Sequence, residues 1–202
     1  MKLYLIRHGE TVWNVQSRYQ GHTDVELSPK GHEQGKLVAK RLAKVKLDEV
    51  FASDLSRAYQ TAKYIALWHQ LEVKKAADLR ELNFGVWEGL TFEEITQNYG
   101  DLAEKWYDNP IDLTIPEGEM FSQLELRVKL FIAHLLQNYQ GKNVAVVSHG
   151  GTIRAIICSL LEIEFKKIWL FRQDNTCINI IEFFGKKPIL SLLNDTHHLE
   201  NI

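Results

Sequence analysis

The chain has 202 residues, 45% of them hydrophobic and 25% charged, with a formal net charge of −2. This is the composition of an ordinary globular protein, long enough to bury a substantial core of its own. It carries no global basic field and no local basic patch of the necessary size, which excludes nucleic acid and anionic membrane as partners.

Residues 3–6 form a short apolar run that reaches Arg7-His8 too soon for a signal-peptide core. The run reads as a first strand, and residues 144–147 read as a matching one, each too short for a helix and each closed by polar residues and glycine. Both are expected to be buried, parallel strands. Ser28-Pro29 supplies a cap and a first-turn proline for an amphipathic helix running to about residue 44. Residues 50–52 make a brief strand, followed by a helix capped by Ser53 or Asp54, with Ala58, Ala62, Ile65 and Ala66 on one face. Residues 73–76 are a weaker strand.

Two short helices, broken at Gly100-Asp101, are expected between residues 91 and 107, and a longer helix over 121–139. A helix over 152–161 and a final hairpin around Gly185-Lys186 complete the chain. No stretch supplies the roughly 18 uncharged apolar residues of a spanning helix, so a soluble, cytoplasmic protein is expected. Cys158 and Cys177 lie in apolar runs and read as buried thiols of a reducing compartment. Alternating strands and helices imply a largely parallel sheet covered on both faces.

In such sheets ligands bind beyond the carboxyl ends of the strands. Arg7-His8-Gly9 follows the first strand and Ser148-His149-Gly150-Gly151 follows the fourth, so two imidazoles distant in sequence are expected to share one crevice. The glycines admit close backbone approach, and exposed N–H groups at a helix start favour an anion such as phosphate. Arg57, Glu81 and Asn14 fall at further strand ends or helix starts.

The chain resembles the histidine phosphatase, or phosphoglycerate-mutase-like, superfamily over nearly its whole length. The likeness rests on Arg7-His8-Gly9-Glu10-Thr11 with Trp13-Asn14, Ser53-Asp54-Leu55 through Arg57-Ala58 with Gln60-Thr61-Ala62, Arg80-Glu81-Leu82 with 84–89, and 147–151. It implies a three-layer α/β/α sandwich with a mostly parallel, mixed sheet, one domain over 1–202, and a lid-like insertion at about 90–119. It implies a phosphomonoester hydrolase working through phosphohistidine. His8 would be the nucleophile, Glu81 the proton donor, and Arg7, Arg57 and His149 the phosphate pocket. Asn14, Thr11, Gln20, Gly21 and Gly150 would bind substrate, with no metal and no cofactor. Glu81 must begin protonated, and the neighbouring aromatics Phe84 and Trp87 offer an apolar wall that would favour the neutral acid, although Trp87 alone reads more readily as core.

Three rivals follow from the same residues. A metallohydrolase would use His8, His149 and Glu81 as zinc ligands, but no His-x-x-x-His or Cys-x-x-Cys unit is present and two arginines would repel a cation. A non-catalytic phospholigand-binding module would keep the arginines and lose the nucleophile or the acid, whereas both remain. A mutase needs extra cations for a second anionic group. Between residues 90 and 119 stand eight carboxylates (Glu93, Glu94, Asp101, Glu104, Asp108, Asp112, Glu117, Glu119) and one base, Lys105. A lid this acidic is expected to repel a second anion and to favour a neutral remainder.

Residues 82–89 and 115–119 look most like the alpha-ribazole phosphatase and broad-specificity branches, so alpha-ribazole 5′-phosphate is the candidate substrate. Those relatives commonly read Pro-Gly-Gly-Glu-Ser where this chain has Glu117 in place of a glycine. Met120, Phe121, Trp106 and Tyr107 read as core or as an apolar rim. The partner is a small phosphomonoester, and the protein a monomer or homodimer.

Overall fold

A computed structural model describes residues 1–200, so the last two positions of the expected 1–202 unit lie outside the described residues. Six strands form one sheet in the order β3-β2-β4-β1-β5-β6. Strands β1 (Lys2–Arg7), β2 (Glu49–Ala52), β3 (Val73–Lys75) and β4 (Asn143–Ser148) run parallel to their neighbours among these four. The hairpin of β5 (Ile178–Phe184) and β6 (Lys187–Asp195) joins antiparallel beside β1, making the sheet mixed as expected.

The central strands are apolar throughout because alternate residues enter two different cores. Leu3, Leu5, Val144 and Val146 pack with α5 (Phe121–Asn138) and α6 (Gly150–Leu160). Tyr4, Ile6, Ala145 and Val147 face the other way, toward α2 (Pro29–Leu42) and α3 (Ser56–His69). The three-layer α/β/α sandwich follows from this two-faced burial. Both cysteines are buried, and burial pushes each thiol up to about 11.

Local chemistry sets the helix starts. Ser28 caps α2 ahead of Pro29, as the sequence indicated. Neither Ser53 nor Asp54 caps α3; instead Asp24 accepts from both the backbone N–H and the hydroxyl of Ser56 at 2.8 and 2.7 Å. A four-residue helix α1 (Val12–Val15), unforeseen in the sequence, is closed by a capping box in which Thr11 and Asn14 bond reciprocally. Helix α4 (Phe92–Asp108) breaks its regular backbone at Gly100, where two helices were expected.

The long helices after β1 and β2 cover one face and the helix after β4 covers the other. Adjacent strands β1 and β4 thus send their chains to opposite sides, which opens a crevice at their carboxyl ends. Among the described residues, no helix is long and apolar enough to cross a membrane.

Candidate active site

The paired histidines stand at that crevice. His8 and His149 are both buried, with ring centroids 5.1 Å apart. The His8 backbone is fixed on both sides: its N–H donates to the Ser148 carbonyl, and its own carbonyl accepts from Thr176 and Asn175. The next residue, Gly9, donates to Thr61 on α3. His8 Nδ1 lies 2.7 Å from the Gly9 carbonyl, which can only accept, so Nδ1 carries the proton and Nε2 keeps its lone pair. Burial first, then Arg57 and Arg7, hold this imidazole well below its ordinary pKa. The sequence could not name the acceptor that sets this tautomer.

Arg57, in the first turn of α3, is fully buried and held at three nitrogens. Its Nη1 and Nη2 donate to the carbonyls of Thr23 and Gly21 at 2.9 and 2.7 Å, and its Nε donates to His149 Nδ1 at 3.2 Å. That last bond makes Nε2 the protonated nitrogen of His149; Nε2 is buried and has no protein partner. Burial, Arg57 and His8 keep His149 well below its usual pKa, so it is a neutral hydrogen-bond donor here. Arg57, brought down to about 10 by burial, remains charged at neutral pH. Arg7 donates through Nη1 to the Gln173 carbonyl and leaves a buried Nε unpartnered.

Glu81 is placed by the strand and helix across the crevice. Ser148 and Thr152 hydroxyls bond the Leu79 and Arg80 carbonyls, and Arg127 of α5 grips the carbonyls of Asp78, Arg80 and Glu81. The Glu81 carboxyl meets the start of α6, accepting from the Gly151 and Thr152 N–H groups at 3.0 Å each. The expected apolar wall is therefore only half present: Phe84 lines the cavity, whereas Trp87 is buried against Trp106 and Tyr19 in the core.

A cavity of about 360 Å³ is lined by Arg7, His8, Asn14, Arg57, Glu81 and Gly150 together with Gln20 and Gly21, whereas the fully buried His149 is not part of its lining. Gly21 has φ +53°, and a Cβ there would fall 1.9 Å from Glu88 Oε1, so this turn requires glycine. Thr11 does not belong to the cavity; it is fully buried and spends its hydroxyl on the α1 cap. None of the eight carboxylates of 90–119 lines the cavity either, so none is placed for direct contact with a ligand there. Glu94 is paired with Arg18 and Glu119 with Arg127. Glu117 takes φ +61°, a conformation that glycine adopts freely, which accounts for the glycine in relatives. Trp106 and Phe121 are core, whereas Tyr107 reaches the cavity. Sequence reasoning missed Arg154, Trp169 and Arg18 in the lining, Asn175 behind His8, and Glu88, which supports the 21–23 turn. Among the described residues, no group of three or more His, Cys, Asp or Glu side chains is placed to hold a metal ion, the trio of His8, His149 and Glu81 included.

Residues 3–196 match the model of the histidine phosphatase superfamily, branch 1. The chain belongs to this superfamily. Phosphoserine phosphatase 1 of Hydrogenobacter thermophilus is 36% identical over 98% of this chain and 94% of its own length. The adenosylcobalamin/alpha-ribazole phosphatase of Escherichia coli is 34% identical over 96% of both. Among solved structures, a mutant phosphoserine phosphatase from Entamoeba histolytica in complex with phosphoserine superimposes with a TM-score of 0.89 at 36% identity, covering 98% of each chain. Membership of the histidine phosphatases supports an enzyme that hydrolyses phosphate esters, and relatives under both phosphatase names show that the fold and motifs are shared across different substrates.

Proposed function

We propose that this protein is a metal-independent phosphomonoesterase working through phosphohistidine on a small phosphorylated metabolite. The observation that carries the reading is the His8 tautomer: Nδ1 is tied to the Gly9 carbonyl, leaving Nε2 free beside three buried cationic or N–H donors. His8 Nε2 attacks phosphorus while the bond from phosphorus to the ester oxygen breaks. Arg7, Arg57 and the His149 Nε2–H bind the equatorial oxygens, and Asn14, whose Oδ1 is occupied by Thr11 and Asn175, turns its amide N–H group to the same charge. Glu81 delivers a proton to the departing oxygen. Water then attacks the phosphohistidine, Glu81 takes its proton, and the P–N bond breaks to free phosphate and restore His8.

We read 1–202 as one catalytic domain, cytoplasmic, monomeric or homodimeric, with 90–119 forming a lid from which Tyr107 meets the substrate. Alpha-ribazole 5′-phosphate is one candidate, supported by the Escherichia coli relative. With no lid carboxylate in the cavity lining, anionic remainders belong in the test as well. The test is turnover of para-nitrophenyl phosphate and a metabolite panel in excess chelator, with acid-labile phosphate captured on the enzyme. His8→Ala should lower turnover at least about 10⁴-fold and abolish capture. Turnover retained by His8→Ala, or activity lost to chelator and restored by zinc, would overturn the proposal.

A further inference from the structure

Arg154 has no place in the phosphate chemistry above, yet it lines the same cavity. It lies four residues after Gly150 on α6, hence on the same helix face, and about 3–4.5 Å along the axis from Gly151 and Thr152, which hold Glu81. Its Nε donates to the Phe171 carbonyl, and its Cζ lies 5.8 Å from the Trp169 ring, so the guanidinium is held from two sides. Among the described residues neither Nη has a hydrogen-bond partner. Gly150 supplies the room: a Cβ there would approach Arg154 Nη1 to 3.0 Å and Arg7 Nε to 3.6 Å.

Charge balance points to what this cation meets. A phosphate dianion is matched by Arg7 and Arg57. Arg18, the other cavity arginine, is already paired with Glu94 at 2.9 Å and bound to the Gly89 carbonyl. With Glu81 protonated for the first step, Arg154 is left as a further positive charge in the cavity lining, on the helix whose first N–H groups hold Glu81. The free Nη edge of a fixed guanidinium suits a planar carboxylate, which it can bind through two parallel N–H donors. A second phosphate would bring a further negative charge for which no cation remains.

We infer that Arg154 is a specificity-determining residue that binds a carboxylate in the leaving group, making small phosphorylated carboxylic acids the preferred substrate class. This rests on the phosphomonoesterase reading of the same site. The experiment compares kcat/KM within two pairs that differ by the carboxylate: phosphoserine against phosphoethanolamine, and 3-phosphoglycerate against glycerol 3-phosphate. The wild type should prefer the carboxylated member of each pair by about 30-fold or more, and Arg154→Met should collapse that preference to within about threefold. Arg154→Lys, which keeps the charge and loses the fork, should fall between the two, and it decides the matter if Arg154→Met does not fold. A wild type without preference overturns the inference, as do variants that lower both members of a pair alike, since Arg154 then serves the shared phosphate or the fold. Should neither pair be hydrolysed while para-nitrophenyl phosphate is, in a His8-dependent way, the inference falls and the phosphatase reading stands. If no ester is hydrolysed, both fall.

Discussion

Removing the Glu88 carboxylate tests how the phosphate pocket is held, because this residue touches no expected substrate atom yet lies two bonds behind Arg57. Glu88 accepts from His22 N–H and Thr23 N–H at 2.8 Å each, from the Thr23 hydroxyl at 2.5 Å and from Phe84 N–H at 3.2 Å. The turn so fixed presents the Gly21 and Thr23 carbonyls to Arg57, which in turn sets the His149 tautomer. In Glu88→Ala the two Thr23 donors are exposed and turn to water, whereas the His22 and Phe84 N–H groups are partly buried and lose their acceptor. At roughly 1–3 kcal/mol for each of the two unsatisfied groups, the fold should lose about 2–6 kcal/mol, which a domain in the upper part of the usual range of about 5–15 kcal/mol survives. A displacement of about 1 Å at Arg57 is enough for a roughly 100-fold loss, so kcat/KM for para-nitrophenyl phosphate should fall by about that factor. Urea unfolding and steady-state kinetics measure both effects. A variant within about 0.5 kcal/mol and threefold of wild type would refute this chain of support.

The acid limb of kcat/KM should lie well below pH 6.5, because the buried His8 is protonated only below its ordinary range; a limb at 6.5 or above that follows the enzyme rather than the substrate phosphate would contradict the tautomer argument. Stability should also fall as pH drops below 6.5. His8, His149 and His198, the last brought down to about 4 by burial, bind protons more readily unfolded than folded, so their contribution is complete above the unfolded value and is lost toward the folded one. Each adds a slope of up to about 1.4 kcal/mol per pH unit. The exposed His197, raised chiefly by its bond to Asp195, acts in the opposite sense. Urea midpoints across pH 4–7 check this, and His198→Gln should flatten the curve; an unchanged curve would remove His198 from the account. Gly31→Ala places a Cβ 1.9 Å from the Glu10 carbonyl, so α2 must part from the loop after His8. A loss of about 1–3 kcal/mol, at about 2–4 °C of Tm for each, should appear in thermal unfolding, and an unshifted Tm would show that the helix moves freely.

The crevice was legible because its signals are local: short apolar runs ending in Arg-His-Gly and Ser-His-Gly. The sheet order at the crevice then follows from burial on both faces. What escaped notice depends on partners distant in sequence. Asp24 caps a helix 32 residues away, the Glu81 carboxyl is met by N–H groups of α6, and Asn175 reaches His8 from the last loop. Arg154 reads in sequence as one polar residue of a helix, and only the folded chain places it in the cavity lining beside Gly150. The cap that engages Thr11 was hidden because Asn14 stands where a capping box commonly has Glu or Gln. A count of charges carries no direction, so the sequence could not tell that none of the carboxylates of 90–119 lines the cavity.

The pairing of β1 has a consequence for synthesis. Lys2 meets Asn143 on one side and Glu182 on the other, so the strand that carries His8 is made long before either partner. At about 5–20 residues per second, Leu3, Tyr4, Leu5 and Ile6 wait roughly ten to thirty seconds for β4 alone. During that interval α2, β2 and α3 can gather on one side only, and the apolar edge stays open to capture by another nascent chain. His8 is thus translated well before the strands that complete its surroundings, which makes the geometry of this crevice a sensitive reporter of completed folding.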